Sequence, residues 1–526
     1  LNKLLIRILL HLQVEFSKCI LGAIIILKIS IFEQTIIKSK VITRIKINGF
    51  KSLLDTELYL GPFTCIAGAN AAGKSNFFDA LMFFAHLADK TILEAAKSIR
   101  SEEQKHSNIK DIFFKCGDKQ YQQMDFEIDL LVPKSAEDDL GQVANTSVSC
   151  LKYKLKLQLN GDIDDVDRQP IEILEEALMP MTRQDAQKSI GFVHNKEWSN
   201  SIFYGQKSSP IISTKNGKIK LHQDTQGKSG GRAAEFIAQR MPRTLLSTVT
   251  AESPTAFLVR QEMRNWQMLQ FEPSALRQPN SFHEILHSKV DENGKNLPAT
   301  LYRLAQNSEE DIYQIITNQL RNLVSDIKII NVDKDEKREL LTLVITFKNG
   351  LELPAQSLSD GTLRFLGLAI IQEDSRDSLI CMEEPENGIN PKKIEEIVEL
   401  LLQLSFDPLC PVNDDNPIRQ VVINTHSPKL IGIVPEDSLY LACAKEKYDE
   451  ILDIKVQYTS FSILPNTYKK KKYESIPTTL LGEMKLYLDN DSVDNTIYIP
   501  RIRDRKSRTV RENILYQESI IEPKLF

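Results

Sequence analysis

The period of hydrophobic and polar positions changes several times along the chain, and each change marks an element. Val41-Ile42-Thr43-Arg44-Ile45-Lys46-Ile47 leads the first alternating stretch, the two-residue period of a strand. The run Phe63-Thr64-Cys65-Ile66-Ala67 is apolar throughout and predicts a strand buried on both faces. After a short stretch of small residues, Phe77, Phe78, Leu81, Phe84 and Leu87 recur at helical spacing. Alternation returns over 109–160, as in Asp125-Phe126-Glu127-Ile128-Asp129-Leu130 and Tyr153-Lys154-Leu155-Lys156-Leu157. The hydrophilic stretch 161–231 ends in Gly227-Lys228-Ser229-Gly230-Gly231 and predicts a peripheral insertion with scattered strands. Helical patterns follow from Arg232 to about Gln270 and from Asp311 to Ser325, then strands at Lys328–Val332 and Leu340–Phe347. A further helix opens at Leu358-Ser359-Asp360-Gly361-Thr362, and the apolar strands Ser378–Met382 and Arg419–Ile423 each end in a polar tip. No internal repeat and no long heptad run is present, so a coiled-coil arm is not expected.

The first forty residues stand apart. Leu4–Leu12 and Cys19–Phe32 are apolar runs broken by Arg7, Glu15, Lys18 and Lys28, whereas a membrane span needs ~20 apolar residues. No small-residue cleavage site follows them as in a secretory signal. The expectation is a fold that starts near Val41 behind an upstream extension, with a membrane anchor as the alternative.

Composition narrows the class without naming it. The chain has 526 residues, 42% hydrophobic and 26% charged, as in an ordinary globular protein of two or three domains. A net charge of -5 excludes a uniformly basic nucleic-acid binder. Seven cysteines are scattered with no Cys-x-x-Cys pair, a pattern that suggests neither a cysteine zinc site nor a disulfide framework and fits a reducing cytoplasm.

Chemistry concentrates at Gly68-Ala69-Asn70-Ala71-Ala72-Gly73-Lys74-Ser75. A strand before it, a helix after it, and the spacing of Gly68, Gly73, Lys74 and Ser75 make it a P-loop. Small residues let backbone N–H groups wrap a polyphosphate, and the helix beginning near Gly73 turns its positive end to the same anion. Lys74 reaches the β- and γ-phosphates of ATP, and Ser75 offers its hydroxyl to Mg²⁺. Ser359 and Gly361 open a helix and form a second N–H-rich anion site. The strand Ser378–Met382 delivers Glu383 and Glu384: the first suits the Mg²⁺ shell, the second can deprotonate the attacking water. His426, at the tip of the next apolar strand, can bond the γ-phosphate.

Together these motifs resemble the ABC-type ATPase heads of the SMC, RecF and OLD-like group, most closely bacterial AAA family ATPases of the AAA_21 or AAA_15 kind. The resemblance covers 41–460 and rests on Ile47–Ser52, the P-loop, 358–362, Glu383-Glu384-Pro385-Glu386-Asn387-Gly388-Ile389-Asn390-Pro391 and Thr425-His426-Ser427-Pro428. It implies an α/β P-loop NTPase with a mixed sheet flanked by helices and an insertion between P-loop and signature. The implied segments are an extension 1–40, ATPase parts 41–108 and 327–445, a β-rich and helical insertion 109–326, and C-terminal strands with a basic tail over 446–526. It implies nucleotide contacts from Lys51, Ser52, Gly68, Asn70, Ala71, Ala72, Gly73, Lys74, Ser75 and Asn76. Ser359 and Gly361 would act in trans within a homodimer. Glu384, His426 and Lys74 take the catalytic roles, and Ser75 and Glu383 the metal. Glu383 stands where ABC proteins generally carry Asp, Asn390 replaces the His often found before Pro391, and no Q-loop glutamine can be placed. In this family an ATPase without its own nuclease domain often serves anti-phage defence, and a Septu-type ATPase paired with an HNH nuclease is the leading reading. A RecF-like or SMC-like DNA repair ATPase and a slow-turnover sensor scaffold are the alternatives.

Two other patterns compete. His283-Glu284-Ile285-Leu286-His287 spells the zincin motif, which on a helix would align two imidazoles, with Glu309 and Glu310 as third-ligand candidates. Lys469–Lys472 beside Tyr468 and Tyr473, and Arg501, Arg503, Arg505, Lys506, Arg508 and Arg511, form basic stretches suited to DNA or RNA phosphates.

Overall fold

The computed structural model describes residues 41–483 except 100–107, 139–140, 161–168, 223–233, 286–287, 309–310, 375–377 and 414. The N-terminal extension, the arginine-rich tail, His287, Glu309 and Glu310 therefore lie outside the described residues.

Strands β1 (Val41–Asn48), β2 (Thr56–Tyr59) and β3 (Phe63–Ala67) lead into helix α1 (Lys74–Leu87). Antiparallel strands β4 (Gln123–Leu131), β5 (Cys150–Leu159) and β6 (Ile171–Pro180) follow, then the shorter β7 (Ile212–Lys215), β8 (Lys218–Leu221) and β9 (Glu235–Ile237). With β1 and β2 they form one sheet in the order β9-β8-β7-β6-β5-β4-β1-β2. Its alternation has a direct cause. Phe126 and Tyr153 point inward to Phe84 of α1, with ring centroids 5.0 and 6.2 Å away, while Lys152 and Lys154 reach the carboxylate of Glu127 on the outer face at 2.7 and 2.9 Å.

The second half adds α2 (Pro254–Arg264), β10 (Trp266–Leu269), α3 (Leu297–Asn307), α4 (Ile312–Arg321), β11 (Ile327–Asp335), β12 (Leu340–Phe347), α5 (Asp360–Glu373), β13 (Leu379–Glu383), α6 (Ile394–Leu404), β14 (Gln420–Thr425), β15 (Leu439–Asp449), β16 (Ile454–Ser462) and α7 (Tyr468–Lys472). A six-stranded sheet runs β10-β13-β14-β3-β15-β16, parallel except for β16. Its central strands are apolar throughout because both faces are covered. Leu379 and Cys381 pack into the core with α1 and α2, whereas Ile380 and Met382 pack with α5 and α6. The fold is mixed α/β, as expected.

Two expectations change. The helical reading of 232–270 holds over Pro254–Arg264, but Trp266–Leu269 is a strand paired in parallel with β13. Four residues, of which only Trp266, Met268 and Leu269 are apolar, are too few to show a period, and tertiary pairing decides their state. Strands from the 109–326 stretch thus take part in both sheets.

The lysine run does not form an exposed basic patch. It is helix α7, and Lys469 is 1% exposed, its Nζ 4.3 Å from the ring centroid of Tyr440. Lys472 Nζ donates to the carbonyls of Gln187 and Ile190 at 2.6 and 2.9 Å. Burial lowers the Lys469 ammonium from its ordinary 10.5 to about 7. The unfolded chain therefore binds this proton up to a higher pH than the folded one, and stability rises with pH between those values. Denaturant unfolding is expected to show the wild type gaining about 2 kcal/mol between pH 7 and pH 9 relative to Lys469→Met. Parallel pH curves for the two proteins would contradict it.

Candidate nucleotide site

Four parallel strands end on one crevice. Thr425 lies in register with Ala67, Asn424 with Glu383, and Leu269 with Met382, so the segments after β3, β14, β13 and β10 converge at the carboxyl edge of the sheet. The crevice is a cavity of about 690 Å³ whose lining includes Asn70–Asn76, Gln270, Arg364, Glu383, Glu384 and Asn424.

The P-loop backbone is fixed by close approach from elsewhere in the chain. Gly73 caps α1 with φ of 87°, and a Cβ there would fall 1.9 Å from Thr459 Oγ1 on β16. A Cβ on Gly68 would meet the carbonyl oxygen of Ala442 at 2.6 Å. Because α1 starts at Lys74, the amides of Lys74 and Ser75 precede any intrahelical acceptor and suit an anion, whereas the Asn76 N–H donates to the Gly73 carbonyl at 3.1 Å. Lys74 is buried, and its Nζ donates to the carbonyls of Gly68 and Ala69 at 2.7 and 2.9 Å. Burial lowers its pKa, opposed by Glu384, Glu383 and Glu386. Asn76 Nδ2 donates to Ser52 Oγ at 2.6 Å, and Ser52 Oγ lies 2.6 Å from Thr459 Oγ1. Lys51 Nζ bonds Asp79 of α1 at 2.8 Å, which ties the Ile47–Ser52 motif to the P-loop helix.

The acidic segment is equally constrained. Glu384 has φ of 48°, an uncommon conformation for a residue with a Cβ, and it is held there by its surroundings. Its N–H donates to the backbone and side-chain oxygens of Asn424, both at 3.1 Å. Glu384 Oε1 accepts from His426 Nδ1 at 2.6 Å and Oε2 from Asn387 Nδ2 at 2.7 Å. Asn424 Nδ2 also donates to Glu383 Oε1 at 3.1 Å, so one amide spaces the two carboxylates. Glu386 is 8% exposed, accepts the Thr425 hydroxyl, and has its pKa pushed up by burial.

For a metal the donor set is informative. Among the described residues there is no cluster of three or more His, Cys, Asp or Glu suited to an ion. A half-buried Ser75 hydroxyl and the Glu383 carboxylate are hard oxygen donors, a set that fits Mg²⁺ sharing its shell with phosphate oxygens and water.

Ser359 and Gly361 are not among the residues lining this cavity. Ser359 caps α5, its Oγ accepting from the Thr362 N–H at 3.3 Å, and Gly361 packs by Gly388 and Ile389. Sequence reading missed Gln270, Arg364, Asn424 and Thr459. Gln270 follows β10 just as Glu383 and His426 end or follow β13 and β14, a signal hidden by the strand's four-residue length and by Gln267 within it. Asn390 accepts the Lys392 N–H at 3.0 Å and caps a short turn. The zincin reading does not survive at its start: Phe282–Glu284 is a 3₁₀ turn, the His283 side chain is 87% exposed, and Glu284 Oε2 is engaged by the Ser281 N–H at 2.8 Å.

A parallel α/β sheet that presents a P-loop, paired carboxylates and a histidine at one edge defines a P-loop ATPase. Residues 41–431 match the family model described as AAA ATPase domain, and the chain belongs to that family. Among solved structures it is similar to the SMC head bound to the C-winged helix domain of ScpA, at 11% identity over 80% of this chain and 98% of that one, with a TM-score of 0.40. A Pyrococcus furiosus SMC head with an extended coiled coil, bound to the C-terminal domain of ScpA, gives 10% identity, 80% and 96% coverage and 0.40. The SMC head domain of Thermotoga maritima gives 9%, 80%, 98% and 0.32. These likenesses are distant. No curated protein matches the chain. None of the described helices is long and apolar enough to cross a membrane.

Proposed function

We propose that this ATPase binds and hydrolyses ATP with Mg²⁺ at the crevice, that two chains close around the nucleotide, and that the cycle controls a partner effector in bacterial anti-phage defence. The leading effector is an HNH nuclease, and the compartment a reducing cytoplasm in which the free cysteines stay thiols. The observation that carries the dimer is the position of Ser359 and Gly361. The cradle, acids and histidine line or adjoin the cavity, whereas this second anion-binding helix start stands outside it.

In this reading the amides of 70–75 and Lys74 hold the phosphates, and Ser359 and Gly361 of a second copy cap the γ-phosphate. Ser75 and Glu383 would hold Mg²⁺, which would supply positive charge beside the phosphate oxygens. Glu384 takes a proton from the attacking water, and His426 orients that carboxylate through its 2.6 Å bond. Asn387 holds its other oxygen, and Asn424 fixes the peptide that carries it.

Ser359→Arg is expected to abolish nucleotide-dependent dimerisation in sedimentation velocity while ATP affinity of the single chain stays within about twofold, because a bulky cation replaces the cap outside its own crevice. Dimers that form as readily as in wild type would rule out the composite site. Affinity capture of the Glu384→Gln chain with ATP from its native cells tests the effector. An HNH nuclease is the expected catch, and replication or repair factors in its place would replace defence with DNA repair.

A further inference from the structure

Helix α5 carries a cation, Arg364, that forms no ion pair with a carboxylate among the described residues. Asp360 lies four residues before Arg364, the spacing at which an acid and an arginine pair on a helix. That acid is already engaged: Arg277 Nη2 donates to Asp360 Oδ1 at 2.6 Å and to the Leu358 carbonyl at 2.8 Å, and Arg277 Nη1 to the Pro273 carbonyl at 2.9 Å. Arg364 is half-buried, and its Nε is buried with no hydrogen-bond partner among the described residues. Burial holds its pKa below the ordinary value, opposed by Asp360.

Its side chain lines the same cavity as P-loop residues Asn70–Asn76 and Glu383. Guanidinium groups recognise phosphate through paired N–H donors, and an uncompensated one at a desolvated site is costly unless an anion arrives. The anion that the rest of the cavity is built to receive is a polyphosphate.

We propose that Arg364 recognises the terminal phosphate of a nucleoside triphosphate bound by the P-loop of the same chain, with Arg277 as a positioning residue that keeps it available by occupying Asp360. The proposal rests on the ATP-binding reading and adds to it a basis for telling triphosphate from diphosphate. Ser359 and Gly361 stand at the start of the helix that carries Arg364. The contact therefore links the third phosphate to the surface offered to a second copy.

The test is calorimetric titration of the full chain with Mg²⁺ and either AMP-PNP or ADP. Arg364→Ala is expected to weaken AMP-PNP at least tenfold and leave ADP within twofold, an internal control for folding, and Arg364→Lys should retain part of the difference. Arg277→Ala should weaken AMP-PNP severalfold by releasing Asp360 to pair with Arg364, and adding Asp360→Asn should restore it. Unchanged AMP-PNP affinity in Arg364→Ala, or equal losses for both nucleotides, overturns the proposal. A wild-type chain that binds neither nucleotide overturns the underlying ATP reading, a failure distinguishable from the first because it appears before any substitution.

Discussion

Glu384→Gln is expected to reduce ATP turnover by about 100-fold or more while leaving a chain that binds ATP and accumulates as a dimer. The amide keeps the shape of the carboxylate and can still meet Asn387 and His426, so the geometry at the end of β13 should persist. What it loses is basicity, the one property needed to take a proton from water. The positive φ of Glu384 and its two contacts to Asn424 mean that the residue arrives oriented rather than being recruited on binding. Phosphate release and light scattering at saturating Mg²⁺-ATP check both halves. Turnover within threefold of wild type would show that Glu384 is not the base.

Lys74→Ala should weaken ATP binding by about 100-fold, seen as loss of heat in calorimetry. The magnitude follows from charge accounting at the cavity. Burial disfavours the Lys74 ammonium, and the carboxylates of Glu384, Glu383 and Glu386 offset that cost. Removing the cation leaves those acids facing an incoming triphosphate with no compensating charge at the base of the loop. A buried charge stripped of its partner costs about 3–5 kcal/mol, enough for the 100-fold effect of about 2.8 kcal/mol asked of it. A dissociation constant within threefold of wild type would place the nucleotide elsewhere.

Much of this site is legible along the chain because its parts are local. The P-loop needs only Gly68, Gly73, Lys74 and Ser75 at fixed spacing between a strand and a helix, and Glu383, Glu384 and His426 each follow an apolar strand long enough to see. Gln270 escapes because β10 offers four residues. Thr459 escapes for a different reason: its relevance is its 1.9 Å approach to a hypothetical Cβ on Gly73, a contact between residues hundreds of positions apart. Arg364 reads as one more charge on a helix until Arg277 is seen to hold Asp360. The lysine run misleads in the opposite sense, since five residues of α7 cannot show that Lys469 turns inward onto Tyr440 while Lys471 stays in solvent.

The place of β3 in the middle of its sheet sets a schedule for synthesis. Both of its neighbours, β14 and β15, lie more than 350 residues downstream. At ~5–20 residues per second, the strand that delivers the P-loop leaves the ribosome roughly 20–70 s before either neighbour exists. Throughout that interval Phe63–Ala67 carries two bare hydrogen-bonding edges and two apolar faces, the features of an aggregation-prone segment. Truncation before β14 yields a polypeptide that contains the P-loop yet leaves β3 without either of its neighbours.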